Sequence, residues 1–172
     1  MRTSKDSNAV STIILILVSR YYQPRSYGLE FSALEAGPRV SPDKALTVMC
    51  QAAALRLNAR RALISFFDHK SQYILAEATR STCLQDGRSL EPNDDLWFGI
   101  ACLSRQGSIC AKVVEMPLMQ EADKDVTVLI VNDLYNNEQY KGLDIVCKGS
   151  ARFYAGVPIT SPAGQVIGRR LS

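Results

Sequence analysis

The sequence predicts an α+β domain built around an antiparallel sheet, and three observations support this fold class. Two apolar runs, 61–67 and 73–79, are joined by the short polar segment 68–71, which is typical of an antiparallel hairpin. One helical pattern precedes the hairpin, and shorter helical and strand patterns follow it. The chain has 172 residues, 47% of them hydrophobic, which is enough for one core without a metal or a disulfide.

The helix before the hairpin is predicted to begin near residue 41. Ser41 suits the N-cap and Pro42 the first helical position, because a proline there loses no helical hydrogen bond. The side chains expected to pack on the sheet recur at spacings of three and four residues: Leu46, Met49, Ala53 and Leu57. Cys50 lies beside this stripe and is expected in the core, since free cysteine packs as a small hydrophobe.

The second strand of the hairpin alternates in polarity. Its small and apolar residues Ile74, Ala76 and Ala78 are expected on one face of the sheet, and Glu77 and Thr79 on the other. The later predicted elements are a loop-rich region 80–108, a helix 108–115, a strand 126–131, a short helix 133–140 and a closing hairpin of 152–160 with 165–168.

The chain is predicted to have three parts. Residues 1–40 are expected to be a leader or linker, residues 41–168 the domain, and residues 169–172 a short tail. The apolar run 10–18 is too short for a membrane-spanning helix, and no small-residue cleavage pattern follows it. We therefore expect a cytoplasmic protein that does not associate with a membrane.

Charge and cysteine content exclude several classes of function. Twenty Lys and Arg against 17 Asp and Glu leave a net charge of +3, and the basic residues are scattered, so no nucleic-acid partner is expected. Arg60 and Arg61 are expected to be solvated charges. The five cysteines form no CxxC pair and the chain has a single histidine, His69, so no metal site is expected.

Five segments carry a resemblance to a known family: ALRLNARRALISFFDHKSQYILAEATRSTCLQD (54–86), EPNDDLWFG (91–99), GSICAKVV (107–114), IVNDLYNNEQYKG (130–142) and RFYAGVPITSPAGQVIG (152–168). In this order they resemble the GAF domains found near the start of fungal sensor hybrid histidine kinases. The resemblance covers about residues 42–168. It implies a GAF-like antiparallel sheet with helices packed on one face and a pocket built by loops on the other.

The resemblance implies a sensory or regulatory domain that binds a small molecule or forms a homodimer. No segment resembles the phosphoacceptor helix or the glycine-rich ATP boxes of a kinase, and His69 falls in the predicted hairpin turn. We therefore expect a non-catalytic protein without ATP turnover. After Gly168 the family continues with an aliphatic strand, whereas this chain has two arginines, a leucine and a serine. A truncated last strand, low stability and oligomerisation are the corresponding expectations.

Three residues are candidates for the lining of the small-molecule pocket: Cys110, Asp133 and Tyr154. The resemblance implies that Cys110 lies on the short helix that faces the pocket. Asp133 also suits the N-cap of the following helix, a role worth about 1 kcal/mol and the one we favour. Some relatives attach a tetrapyrrole to a cysteine that is followed by histidine. Ala111 follows Cys110 here, so no cofactor is expected.

A thiol-dependent oxidoreductase is the alternative function. GAF enzymes that reduce free methionine sulfoxide carry cysteines in broadly similar places, which correspond to Cys102, Cys110 and Cys147. Their chemistry needs one thiolate of low pKa and a second thiol within reach of it. A third hypothesis is a chain that has lost its function together with its last strand.

Overall fold

The computed structural model describes residues 38–92, 94–116, 127–147 and 151–159. The elements in these ranges are α1 (Lys44–Arg56), β1 (Arg61–Phe67), β2 (Ser71–Thr79), β3 (Ala101–Ser104), α2 (Ile109–Glu115), β4 (Leu129–Val131), α3 (Asp144–Cys147) and β5 (Tyr154–Gly156). Helices mixed with antiparallel strands confirm the α+β fold class. Most of the predicted leader, the strand 165–168 and the tail lie outside the described residues.

The described strands form two antiparallel sheets. β2 lies between β1 and β3 in the first sheet, and β4 pairs with β5 in the second. The hairpin of β1 and β2 confirms the sequence prediction. The prediction of a loop-rich region 80–108 overlooks β3, because this four-residue strand has no long alternating pattern of its own and is held by pairing with β2.

α1 begins at Lys44, later than predicted, because Asp43 rather than Ser41 is its N-cap. The carboxylate of Asp43 accepts a hydrogen bond from the backbone N–H of Leu46 at 3.1 Å. The hydroxyl oxygen of Ser41 accepts from the backbone N–H of Asp43 instead. The aspartate therefore satisfies one of the free N–H groups in the first turn.

The side of α1 that faces the sheet is one residue away from the predicted stripe. Its buried residues are Thr47, Cys50 and Ala54. The prediction is wrong for Met49 and Leu57, which are 56% and 70% exposed. It is confirmed for Leu46 and Ala53, which pack against the cluster beneath the helix. Apolar residues lie on both sides of the helix, and spacing alone does not decide which side is covered. The placement of Cys50 in the core is confirmed.

A β-bulge near Leu75 changes which side chains share a face of the sheet. Ala76 pairs with Ile64, whereas Ile74 pairs with Ser65, so β2 carries one extra residue at this point. Ala76 consequently packs in the cluster beneath α1, and Ile74 packs with residues of β1 and β3 in a different cluster. The prediction that Ile74 shares a face with Ala76 is therefore wrong.

The predicted helix 133–140 is also wrong, because this segment consists of turns. Oδ1 of Asp133 accepts from the backbone N–H groups of Tyr135 and Asn136, which closes a turn of the Asx type. The predicted helix 108–115 is confirmed as α2, and the strand 126–131 is described as the shorter β4. In the described part of the chain, no helix is long and apolar enough to cross a membrane.

Candidate functional site

A cavity of about 200 Å³ lies against the face of the first sheet that is opposite α1. Its floor is formed by β1, β2 and β3, and its walls by residues 97–98, the beginning of α2, and residues of the ranges 134–145 and 151–154. The lining consists of Arg61, Leu63, Gln72, Trp97, Phe98, Leu103, Ser104, Gln106, Gly107, Ser108, Ile109, Cys110, Leu134, Leu143, Asp144, Ile145, Ala151, Phe153 and Tyr154. An apolar cavity of about 150 Å³ can hold benzene, so this volume suits a molecule of about one ring.

Two of the three candidate residues, Cys110 and Tyr154, line this cavity. Asp133 does not belong to the lining. Its carboxylate is exposed and accepts from the side-chain amide of Asn136 at 2.6 Å, in addition to the backbone N–H groups of the turn. Hydrogen bonds from the Asn136 side chain and backbone lower the pKa of Asp133. The structure therefore gives Asp133 a capping role in a turn.

Tyr154 stands at the start of β5 and is only 1% exposed. Its hydroxyl lies near the Cys110 thiol but has no hydrogen bond of good geometry with any described residue. Burial raises the pKa of this phenol well above its ordinary value, and the neighbouring Cys110 thiol contributes in the same direction. A side chain at Gly156 would place its Cβ 2.7 Å from the Tyr154 hydroxyl, so glycine is needed to seat the ring.

Cys110 lies in the first turn of α2 and is buried. Burial raises the pKa of its thiol, which keeps the sulfur protonated and weakly nucleophilic at neutral pH. Cys102 and Cys147 are exposed, and the Cys147 thiol donates to the backbone carbonyl of Lys141. All three are free thiols. The buried, protonated Cys110 lacks the thiolate that the oxidoreductase hypothesis requires.

A buried ion pair at the edge of the cavity holds one of its walls. Arg61 is 2% exposed, and its Nη1 donates to the carboxylate of Glu77 at 2.8 Å. The expectation of a solvated Arg61 is therefore wrong. Glu77 also accepts from the backbone N–H groups of three successive residues, Trp97, Phe98 and Gly99. One carboxylate in β2 thus fixes the arginine and the 97–99 segment together.

The Arg61 guanidinium lies 3.8 Å from the ring centroid of Trp97, close enough for a cation–π interaction. Nη1 of Arg61 makes a second hydrogen bond to the backbone carbonyl of Asp95. Burial lowers the pKa of the guanidinium, and the carboxylate of Glu77 opposes that effect. An arginine remains charged under these conditions. Nε of Arg61, in contrast, has no hydrogen-bond partner among the described residues.

The other polar groups at the cavity floor are satisfied by one another. The Ser108 hydroxyl donates to Oε1 of Gln72 at 2.6 Å, and Nε2 of Gln72 donates to the Ser65 hydroxyl at 3.1 Å. This chain of hydrogen bonds joins the beginning of α2 to β2 and β1. Arg61 Nε and the Tyr154 hydroxyl are the two buried side-chain atoms of the lining residues that have no hydrogen-bond partner among the described residues, and neither is exposed at the cavity surface.

A second cleft, of about 540 Å³, is polar and lies on the other side of the α2 N-terminus. Two of its basic side chains, Arg105 and Lys112, are engaged by groups of the protein. Nη1 of Arg105 donates to the backbone carbonyl of Asp68, and the ammonium of Lys112 pairs with Glu115. Arg105 also lies 3.5 Å from Glu115.

The chain matches no protein-family model and no curated protein. Among the described residues, no three His, Cys, Asp or Glu side chains are grouped in a way that could hold a metal ion. Sequence reasoning overlooked Arg61 and Gln72 in the cavity wall. A signal was available, since an arginine that opens an apolar strand and a glutamate in the paired strand are each costly to bury alone.

Proposed function

We propose that this chain is a GAF-like sensory domain that binds a small molecule in the cavity and catalyses no reaction. The family resemblance of residues 42–168 supports this proposal. The arrangement of the first sheet supports it as well, because α1 covers one face and the cavity lies on the other. This is the arrangement that the resemblance implies for a ligand-binding domain.

The observation that carries the proposal is the cavity itself, which has a volume of about 200 Å³ and lies between the first sheet and the beginning of α2. Its lining is mostly apolar and aromatic, with a few polar side chains such as Gln72 and Ser108. Ligand-binding pockets typically combine an apolar lining with a small number of polar groups that orient the ligand.

The oxidoreductase alternative is disfavoured by the state of Cys110, whose thiol is buried and protonated. Native-state alkylation followed by mass spectrometry separates the two hypotheses. We expect iodoacetamide to modify the exposed Cys102 and Cys147 and to leave Cys110 largely unmodified at neutral pH. Rapid modification of Cys110, together with turnover of free methionine sulfoxide in the presence of a dithiol, would establish the enzyme instead.

Ligand binding is tested with a library of single-ring compounds and a cavity-filling variant. Ala151 is buried in the lining, so Ala151→Leu should occupy part of the space. The control is Ala52→Leu, since Ala52 is exposed on α1. We expect several compounds to shift amide resonances of the wild type and of the control, and none to do so in Ala151→Leu. Failure of every compound with the wild type would contradict the proposed function.

The homodimer, the cytoplasmic location and the absence of a nucleic-acid partner stay predictions.

A further inference from the structure

We propose that the second cleft is a binding site for a phosphorylated small molecule with hydroxyl groups, such as a sugar phosphate, whose phosphate lies among Lys70, Arg105 and Lys112. The inference goes beyond the proposed function and does not rest on ligand binding in the cavity. It follows from three properties of the cleft: its excess of positive charge, the free donors of its cations, and its size and polar lining.

The described lining of the cleft carries more positive than negative charge. Its three cations, Lys70, Arg105 and Lys112, stand against one carboxylate, that of Glu115. Two of them share this carboxylate, since Nη2 of Arg105 lies 3.5 Å and Nζ of Lys112 3.3 Å from its oxygens. Two positive charges are therefore in excess even when His69 is neutral. A phosphate monoester carries a charge of about −1.5 to −2 at pH 7, which matches that excess.

A second carboxylate, that of Asp68, stands in the hairpin turn beside the cleft but does not belong to its lining. It accepts hydrogen bonds from the backbone N–H groups of Lys70 and Ser71 and from the Tyr73 hydroxyl. The turn itself therefore uses this carboxylate, and the side-chain donors of the cleft stay available.

The three cations have donors that are open to a ligand. A guanidinium has five N–H donors and an ammonium three, so contacts with the Asp68 carbonyl and with Glu115 leave several of them unused on Arg105 and Lys112. These two side chains are 25% and 49% exposed. Lys70 is exposed as well, and its ammonium has no partner among the described residues. Guanidinium and ammonium groups with free donors are the usual partners of phosphate oxygens.

The size and lining of the cleft favour a polar molecule larger than phosphate alone. Its volume of about 540 Å³ lies within the range of about 300–1,000 Å³ that is usual for small-molecule sites. Only Gly107 and Ala111 of its lining lack a polar side chain. The side-chain amides of Gln106 and Gln139 are exposed, and each can both donate and accept, which suits the hydroxyl groups of a sugar.

Three probes separate these properties: glucose 6-phosphate, glucose and inorganic phosphate. Their affinities are measured at low ionic strength from the amide shifts of Gly107 and Lys112 in ¹⁵N-labelled protein. We expect glucose 6-phosphate to bind at least about tenfold more tightly than glucose, because several charge-assisted hydrogen bonds are lost with the phosphate. It should also bind more tightly than inorganic phosphate, which cannot reach the two glutamines.

Lys70→Gln tests the cation without a described partner. It should weaken the binding of glucose 6-phosphate about fivefold, the upper end of what one exposed ion pair contributes. Lys44→Gln is the matched control, since it removes the same charge from α1, where the ammonium donates to the backbone carbonyl of Gln85. The control should keep the wild-type affinity.

Glu115→Gln tests the charge balance in the opposite direction. It removes the carboxylate that competes with the ligand for Arg105 and Lys112, so glucose 6-phosphate should bind about two- to fivefold more tightly. Glu138→Gln removes a charge of the same sign from an exposed pair with Lys141, outside the lining, and should not have this effect.

Equal affinities for glucose 6-phosphate and glucose would overturn the phosphate site. Equal effects of Lys70→Gln and Lys44→Gln, or of Glu115→Gln and Glu138→Gln, would show that net charge rather than the cleft attracts the anion, and would overturn it too. Inorganic phosphate that binds as tightly as glucose 6-phosphate would overturn the hydroxyl-bearing ligand. The cavity-filling variant Ala151→Leu should bind glucose 6-phosphate as the wild type does, so failure of either site can be recognised separately.

Discussion

The two faces of the first sheet are built from the same strands but are packed in different ways. The face beneath α1 is closed by small apolar residues: Cys50, Ala54, Ala62, Ile64, Ala76 and Ala78. The opposite face carries a buried ion pair, a chain of side-chain hydrogen bonds and a cavity. A buried ion pair adds little net stability compared with apolar packing, although removing one partner of it is costly. The first face is therefore a continuous apolar core, and the proposed binding site lies on the second face.

The ion pair is the part of the cavity face whose disruption should have the largest effect. Glu77→Gln removes the charge that neutralises the buried Arg61 and weakens the acceptor for residues 97–99. We expect the free energy of unfolding to fall by about 3–5 kcal/mol. Urea denaturation measures this change.

The control for this variant is Glu138→Gln, which breaks an exposed pair with Lys141 and should cost at most about 1 kcal/mol. Equal effects of the two substitutions would show that the buried pair does not organise the cavity face.

The packing around the Tyr154 ring should be the next most sensitive to substitution. Gly156→Ala brings a methyl group within 2.7 Å of both the Tyr154 hydroxyl and Cγ2 of Val113, so one of them must move. We expect a loss of about 1–3 kcal/mol, as for other overpacked cores. Gly142→Ala is the matched control, since no atom lies within 4 Å of the added carbon. Thermal unfolding of both variants should give a lowered Tm for Gly156→Ala alone.

The burial of Cys50 beneath α1 should make the free energy of unfolding depend on pH. Burial, together with the nearby Glu77 charge, raises the pKa of Cys50 from 9.0 to about 12. The folded state therefore favours the protonated thiol, and this stabilisation is complete below the pKa of the unfolded chain and is lost as the pH rises towards 12. Between pH 7 and pH 10 the loss should be about 1.4 kcal/mol.

The measurement is the free energy of unfolding against pH in the wild type and in Cys50→Ala. The variant should lack this part of the alkaline decline, whereas Cys102→Ala, at an exposed position, should keep it. If the free energy of unfolding falls with pH in the same way in the wild type and in Cys50→Ala, the Cys50 thiol is not buried beneath the helix.

The hydroxyl of Tyr154 should matter least to stability, although it is almost fully buried. Tyr154→Phe removes a group that has no hydrogen-bond partner among the described residues, so the free energy of unfolding should stay unchanged or rise. Tyr73→Phe is the comparison, because the Tyr73 hydroxyl donates to Asp68 at 2.8 Å. That variant should lose about 0.5–1.5 kcal/mol. A larger loss of unfolding free energy in Tyr154→Phe than in Tyr73→Phe would show that the Tyr154 hydroxyl does have a stabilising hydrogen-bond partner.

Local sequence patterns predicted those parts of the fold that depend on local rules. The hairpin of β1 and β2 and the helix α2 follow from alternation, turn residues and helical spacing, and both are present. The bulge at Leu75 could not be predicted, since it depends on how β2 fits beneath α1 while it also pairs with β3. Because of that extra residue, Ile74 lies on the face of the sheet opposite to Ala76.

The candidate site was predicted only in part, for the same physical reason. The resemblance predicts Cys110 at the pocket, and Tyr154 is a candidate as an aromatic residue that can line an apolar site; both line the cavity. Arg61 was expected in solvent, because its burial depends on Glu77, which is sixteen positions away in the chain. Asp133 was a candidate because a carboxylate after a strand can face a ligand, but its own turn already uses its oxygens. Long-range pairing decided each of these cases.

The contrast between the two faces is tested most directly by mapping the binding of a compound from the single-ring library onto the backbone amides of the ¹⁵N-labelled protein. The largest chemical-shift changes should fall at the beginning of α2, in residues 97–98 and around Tyr154, where the cavity is lined. The amides of α1 from Thr47 to Ala54 should change little, since small side chains close that face. Changes concentrated in α1, with the cavity residues unaffected, would contradict the assignment of ligand binding to the face opposite the helix.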